Sequence, residues 1–348
     1  MPAQTIKFLN KQLFVHKAIG SPDFNSNTVL TNDPWQYVNL WLKREKIPDA
    51  CFFWNQAQGF HTATKNLPPT SAPLTAYYAI LNATKALLIS KNQDFGNRHG
   101  VSGERKEGRT ALTNEMVIFQ KRGVHAGLRE YLNEQVLNAN AKFTLKDLFY
   151  NMPFIHRAFR LTFPSMTELF IPIQNPRFVK KPKSAEAWFC AEIQGAQYQN
   201  GHTLNKLPNG YQLDTNFSGN WTIRKKQRFK WQHAAKNQSL NKDRLTNYHR
   251  KVRQHVCYIH GSSRLWYIKR KPISKGYLKF QNMTLIYAAM HCLSELARYS
   301  PDQLNRHFDS QHNWLLTEFI SMALEQFIDD IASEITGRDF MPVGLRAQ

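Results

Sequence analysis

The segment Arg306-His307-Phe308-Asp309-Ser310-Gln311-His312 sets an arginine and a histidine apart by five residues. Such a pair suits phosphodiester cleavage: the imidazole acts as general acid or base, and the guanidinium stabilises charge developing on the phosphate. His307 lies in the same run and is a further acid–base candidate. The pattern is short and recurs at Arg228–His233, Arg244–His249, Arg250–His255 and Arg253–His260. Those four sit in one arginine-rich stretch, where chance pairs are expected; only Arg306–His312 lies beside strongly periodic segments. The bland alternative is an exposed loop arginine and a histidine at a helix start.

A second candidate is FGNRHGVSGERKEGR, in which Gly96, Gly100, Gly103 and Gly108 alternate with Arg98, His99, Arg105 and Arg109. Glycine frees backbone amides, and guanidinium groups add charge, so the stretch could cradle phosphates. Its spacing matches no known phosphate loop, and the alternative is a plain connection between two helices. GxxxxGK[ST], HExxH, GxSxG and paired CxxC are all missing, so neither a metal centre nor a cofactor is expected. Cys51, Cys190, Cys257 and Cys292 are widely separated, which suits a reducing, cytoplasmic setting rather than a disulfide framework.

Charge points to the partner. There are 46 Lys and Arg against 25 Asp and Glu, a net of +21. Between Trp221 and Lys275 lie 16 basic residues and one acid, Asp243. Such a field attracts polyanions, and without a partner it repels itself. Candidate nucleic-acid contacts are Arg224, Lys225, Lys226, Arg228, Lys230, Arg250, Lys251, Arg253, Arg264, Lys269, Arg270 and Lys271. Trp221, Phe229, Trp231, Tyr248, Tyr258, Trp266 and Tyr267 are interleaved with them. Aromatic faces stack on unpaired bases, which favours RNA or single-stranded DNA over duplex. Trp231, among polar neighbours in RFKWQH, is expected exposed and available for stacking; Tyr258, Trp266 and Tyr267 equally suit one face of a hairpin.

The elements that must position these residues fall into three regions. From Asp33 to Ile173 the pattern is mainly helical, and SAPLTAYYAILNATKALLIS is apolar on most faces, as a central buried helix should be. A further helix is expected over Leu145–Arg160, kinked or restarted at Pro153. QNPRFVKKPKS reads as a linker. AWFCAEI and YQLDTNF then read as strands, and VCYI-HGSS-RLWYIK as a β-hairpin. The stretch between them, IRKKQRFKWQHAAKNQSLNKDRLTNYHRKVRQH, looks too polar to supply a core of its own. Helical periodicity returns over Thr284–Tyr299, stopped by Pro301, and over Asn313–Thr336, capped by Gly337. Glu318, Glu325 and Asp329 should form a solvated face of the last helix, and Glu295 should pair with Arg298.

YYAILNATKALLI, the HGVS segment at His99, FTLKDLFYNMPFIHRAFRLTF, LSELARYSPDQLNRH and LLTEFISMALEQFIDDIASEITG resemble, in that order, the bacterial YaaC-like family. That resemblance covers most of the chain, the basic stretch matching least, and carries no established activity. YYAILNATKALLI is also similar to a helix of HEPN domains, helical bundles found in prokaryotic RNases of toxin and phage-defence systems. The HEPN motif, Arg, a polar residue, then His after four to six positions, is matched by Arg306, His307 and His312. The resemblance implies a metal-independent ribonuclease with His312 as acid or base and Arg306 on the phosphate.

The expected fold is α+β, mainly α: a split, HEPN-like helical bundle with a basic, β-hairpin-containing insertion. Residues 1–175 and 280–348 would form the bundle, and 176–279 the insertion. The expected function is binding of RNA or single-stranded DNA, with or without ribonuclease activity. Alternatives are a non-catalytic adaptor whose bundle docks a protein partner or a second copy, a nucleotide-processing enzyme using Gly96–Arg109, and a basic surface for anionic lipid. No apolar run is long enough for a membrane span, and no signal peptide is apparent.

Overall fold

The computed structural model describes residues 3–9, 11–137, 140–217, 221–232, 238–272 and 275–343. The chain is a mixed helix-and-strand protein that divides into two compact units. One comprises Thr31–Glu168 and Ser274–Thr336; the other comprises Met1–Leu30, Leu169–Ile273 and Gly337–Gln348. No helix among the described residues is long and apolar enough to cross a membrane.

The first unit is built around the helix Ala72–Ser90, whose Ala76, Ile80, Ala83 and Leu87 are fully buried. Helices Pro48–Thr64, Asn282–Tyr299 and Asn313–Thr336 pack on it. An apolar stripe on each demands this, because a helix with one apolar face is stable only when that face is covered. Pro153 does break the helical run after it: Leu145–Tyr150 gives way to a 3-10 turn at Pro153–Ile155, then to His156–Thr162. Pro301 likewise ends the Asn282–Tyr299 helix, but it also opens the next, Pro301–Phe308.

Three features of this unit depart from the sequence reading. Val101–Arg105, Glu115–Phe119 and Ala141–Thr144 form an antiparallel sheet inside the region read as helical. The β-prone run EMVIF is too short to show its period, and its neighbours decide for strand. Asp329 is buried rather than solvated, because the C-terminal half of the last helix is enclosed on nearly every side. Glu295 faces His291 at 3.6 Å instead of Arg298, which lies over the Tyr299 ring.

The second unit carries an eight-stranded antiparallel sheet. Its path runs Tyr211–Leu213, Thr222–Lys225, Glu186–Ile193, Phe170–Lys180, Leu265–Lys269, Val256–Ile259. The expected hairpin is present, with Tyr258 opposite Trp266. QNPRFVKKPKS is no linker: most of it belongs to the longest strand, Phe170–Lys180. A bulge between Gln174 and Arg177, with Asn175 at φ +51°, accommodates Pro176. The polar stretch also holds a helix, Gln238–Arg253, whose Leu245, Tyr248 and Val252 cover one face of the sheet. Phe178, Phe189, Val256 and Trp266, from outside that stretch, complete the core there with Ile223 and Trp231. Both chain ends join this unit: Phe340–Met341 pairs in parallel with Val29–Leu30.

Candidate functional site

Strand alternation sorts the basic residues of the sheet unit. Ile223 and Lys225 share the helix-covered face, and Lys225 lies buried over the Tyr211 ring at 4.8 Å. Burial, then the charge of Lys251, lowers its pKa. On the opposite face Arg224 and Arg228 stack on Trp188 at 5.8 and 5.7 Å, and Arg228 pairs with Glu186. Arg253 is buried, donating to the carbonyls of Val256 and Lys17 and lying over Trp266 at 5.2 Å. Arg250 donates to the Gly20 carbonyl at 2.8 Å, and exposed Arg264 to Thr28 Oγ1. Lys269 and Arg270 are buried, and Lys271 is half-buried. The exposed remainder is Lys226, Lys230 and Lys251, together with Lys242, which sequence reasoning had not singled out.

The interleaved aromatics are core. Trp231 is 4% exposed and meets Phe8 and Phe229 edge-on, contrary to its expected exposure. Tyr248, Tyr258, Trp266 and Tyr267 are buried too. Polar neighbours in sequence did not keep Trp231 in water, because its indole completes the apolar face under Gln238–Arg253.

The Gly96–Arg109 stretch is zipped to a second segment. Val124, His125 and Gln120 N–H donate to the carbonyls of Arg98, His99 and Gly100 at 2.9, 3.0 and 3.0 Å. Gly123, at φ +113°, makes this approach feasible; a Cβ there would lie 2.6 Å from the Arg98 oxygen. The first amides of the helix Val124–Tyr131, which an anion would use, are therefore taken by protein carbonyls. Arg98, His99, Arg105 and Arg109 remain exposed, with Arg105 Nε 3.6 Å from Glu115 Oε1.

Arg306 and His307 are adjacent on a helix, so they project about 100° apart. Arg306 is exposed and faces Asp302 at 3.8 Å. His307 points inward, its Nε2 2.9 Å from Glu115 Oε1 and its Nδ1 3.2 Å from His312 Nδ1. Ser310 Oγ lies 2.9 Å from the same His312 nitrogen. Burial, then His307 and Lys146, lowers the His312 pKa to about 4, so its ring is neutral at pH 7. The fold thus unites His307 and His312 with Glu115 and directs Arg306 elsewhere. His233 of the Arg228–His233 pair lies outside the described residues.

A cluster that sequence reasoning did not assemble lies around His99. The Tyr77 hydroxyl contacts His99 Nδ1 and is 3.3 Å from the Tyr287 hydroxyl, which donates to the His99 carbonyl at 2.9 Å. The His291 ring lies 4.8 Å from that of Tyr77 and 5.7 Å from that of His99. Burial, then His99, lowers the His291 pKa to about 3. Its Nδ1 is buried without a hydrogen-bond partner, 3.6 Å from Glu295 Oε2. One signal was available: His291 and Glu295 are four apart on one helix and so share a face.

A family model described as YaaC-like Protein matches residues 16–335. No curated protein and no solved structure matches the chain.

Proposed function

The chain belongs to the YaaC-like family, and on that premise we propose that it is a nucleic-acid-binding protein whose polyanion contacts lie in the sheet unit. One observation carries the reading: Lys226, Lys230, Lys242 and Lys251 are exposed and have no ion pair among the described residues. Stable folding does not require four such lysines close in sequence, whereas phosphate neutralisation uses them directly. With the aromatics buried, base stacking lends no weight to single strands. RNA or single-stranded DNA remains the proposed ligand, and duplex DNA is the comparison that decides it. The test is binding of labelled RNA, single-stranded DNA and duplex across a salt series. Log affinity should fall against log salt by roughly 0.7 per phosphate contacted on a single strand. A flat response, or no binding at low salt, would remove the reading.

A HEPN-like ribonuclease built on Arg306 and His312 is a second reading. The contact between His307 and His312 supports it, since a neutral imidazole can take a proton. Arg306 on Asp302 gives it no phosphate clamp within this chain. His312→Ala, with cleavage and binding measured separately, is its test.

A further inference from the structure

Two helix ends of the same kind build a groove in the helical unit. Ala72–Ser90 stops where Asn92 turns left-handed at φ +51°, and the Asn92 and Gln93 N–H groups donate to the Ile89 and Leu88 carbonyls at 3.1 and 2.9 Å. Val124–Tyr131 stops at Asn133, φ +54°, where the Asn133 and Glu134 N–H groups donate to the Glu130 and Arg129 carbonyls at 2.9 and 3.0 Å. Asparagine tolerates this backbone, and the paired bonds fix the direction in which the chain leaves the helix. Gly127 lets the first exit segment come close: a Cβ there would lie 3.0 Å from Phe95 Cβ. Residues 94–96, 121–123 and 133–137 and one face of Val124–Tyr131 then enclose a groove of about 960 Å³. That is room for a small organic molecule.

We propose that this groove binds a nucleoside monophosphate, with the phosphate held by Arg129, Lys121 and Arg122 and the nucleoside by the opposite end. The proposal is independent of the polyanion contacts of the sheet unit.

Arg129 lines the groove and is 7% exposed. Its guanidinium lies over the Phe119 ring at 5.6 Å and gives one Nη2–H to the Gln120 carbonyl at 2.8 Å. Its Nε is buried without a hydrogen-bond partner, and the side chain has no ion pair among the described residues. Burial lowers its pKa, and the charge of Glu134 partly offsets this. Glu134 Oε1 is already taken by the Gln281 N–H and the Thr284 hydroxyl, at 2.6 and 2.9 Å. A buried cation short of partners is costly, and an anion in the groove supplies what it lacks.

The bond to Gln120 also places the charge. Side chains on a helix lean toward its N-terminus, and Arg129 leans far enough to reach the residue before Lys121 and Arg122. Both of these line the groove, are exposed and have no ion pair among the described residues. Three cations at one end suit a dianion better than a single carboxylate. The first amides of the helix are engaged, so side chains carry the site. Asp94 and Glu130 line the groove too, exposed and without an ion pair among the described residues. They repel an anion but accept hydrogen bonds from hydroxyl and amino groups. Phe95, Val136 and Leu137 add apolar wall for a base. The ligand is therefore charged at one end and rich in O–H and N–H donors at the other, which is the chemistry of a nucleoside monophosphate.

The experiment titrates the full chain by calorimetry with the four ribonucleoside 5′-monophosphates, the matching nucleosides and inorganic phosphate, with melting temperature as the folding control. At least one monophosphate should bind and raise the melting temperature. Its nucleoside should bind more weakly by roughly 10–100-fold, the loss expected when charge-assisted hydrogen bonds are removed. Lys121→Gln combined with Arg122→Gln should weaken the monophosphate at an unchanged melting temperature, because both positions are exposed. Arg129→Lys keeps the charge but loses the planar fork, and should weaken it too. Glu130→Ala should weaken the monophosphate and spare inorganic phosphate. No monophosphate binding at millimolar concentration overturns the proposal, as does a nucleoside that binds as tightly as its monophosphate. Affinity untouched by both the Lys121/Arg122 double variant and Arg129→Lys also overturns it. A 5′-phosphorylated RNA that binds through these residues while the mononucleotides do not would assign the groove to an RNA end instead, and overturn it as well.

Discussion

Gly103 and Glu295 meet so closely that a Cβ on Gly103 would lie 2.1 Å from Glu295 Oε2. The glycine's backbone is ordinary strand, so alanine fits there once the carboxylate moves. Gly103→Ala should therefore displace Glu295 from the Gly103 N–H at a stability cost of about 1 kcal/mol or less. Chemical denaturation measures the stability, and titration of the Glu295 carboxyl followed by NMR reads the loss of the Gly103 hydrogen bond. A melting temperature that collapses would show that the strand itself cannot accept a methyl group.

The four exposed lysines separate binding from folding. Replacing Lys226, Lys230, Lys242 and Lys251 by Gln should flatten the salt dependence of binding by as much as about 2.8 on the log–log plot, if each contacts one phosphate. Their exposure predicts a melting temperature within a few degrees of wild type. Arg253→Gln should do the reverse: it removes donors to two buried carbonyls and destabilises the unit. Affinity and melting curves on both variants check this.

Trp231→Ala tests what the aromatic residues do. As a core residue it should cost roughly 3–5 kcal/mol of stability. A stacking residue would instead lower affinity on the order of 1–3 kcal/mol per base and leave folding intact. Urea denaturation distinguishes the two.

Low pH should destabilise the helical unit. His291 and His312 have pKa values lowered to about 3 and about 4, whereas in the unfolded chain a histidine titrates near 6.5. Between those values the unfolded state binds more protons, so stability is highest above about pH 6.5 and falls as pH drops toward 3. Denaturant midpoints taken from pH 7 to 4.5 should decline, and His312→Asn should make the decline shallower. An unchanged slope in that variant would mean that His312 is protonated in the fold.

Periodicity over long apolar runs was decisive by itself. The central helix Ala72–Ser90 is legible as an apolar run too long for a strand, and the C-terminal helix Asn313–Thr336 as apolar residues recurring at three- and four-residue steps. The hairpin Val256–Lys269 is legible as two β-prone runs around a Gly-containing loop. Net charge, too, is additive and needs no fold. Tertiary structure alone decided which cations stay in water. Lys225 and Lys226 are neighbours of one type, yet the first ends its strand buried over Tyr211 and the second, just past the strand, is exposed. It also decided which titratable groups meet. Tyr77, His99 and Tyr287 meet although Tyr287 lies 188 residues from His99, and no spacing rule links them. Arg306 and His312 have the spacing, but a turn of helix directs the arginine to Asp302 and the imidazole to His307. Side-chain direction is fixed by the element and its packing, and sequence distance does not encode it.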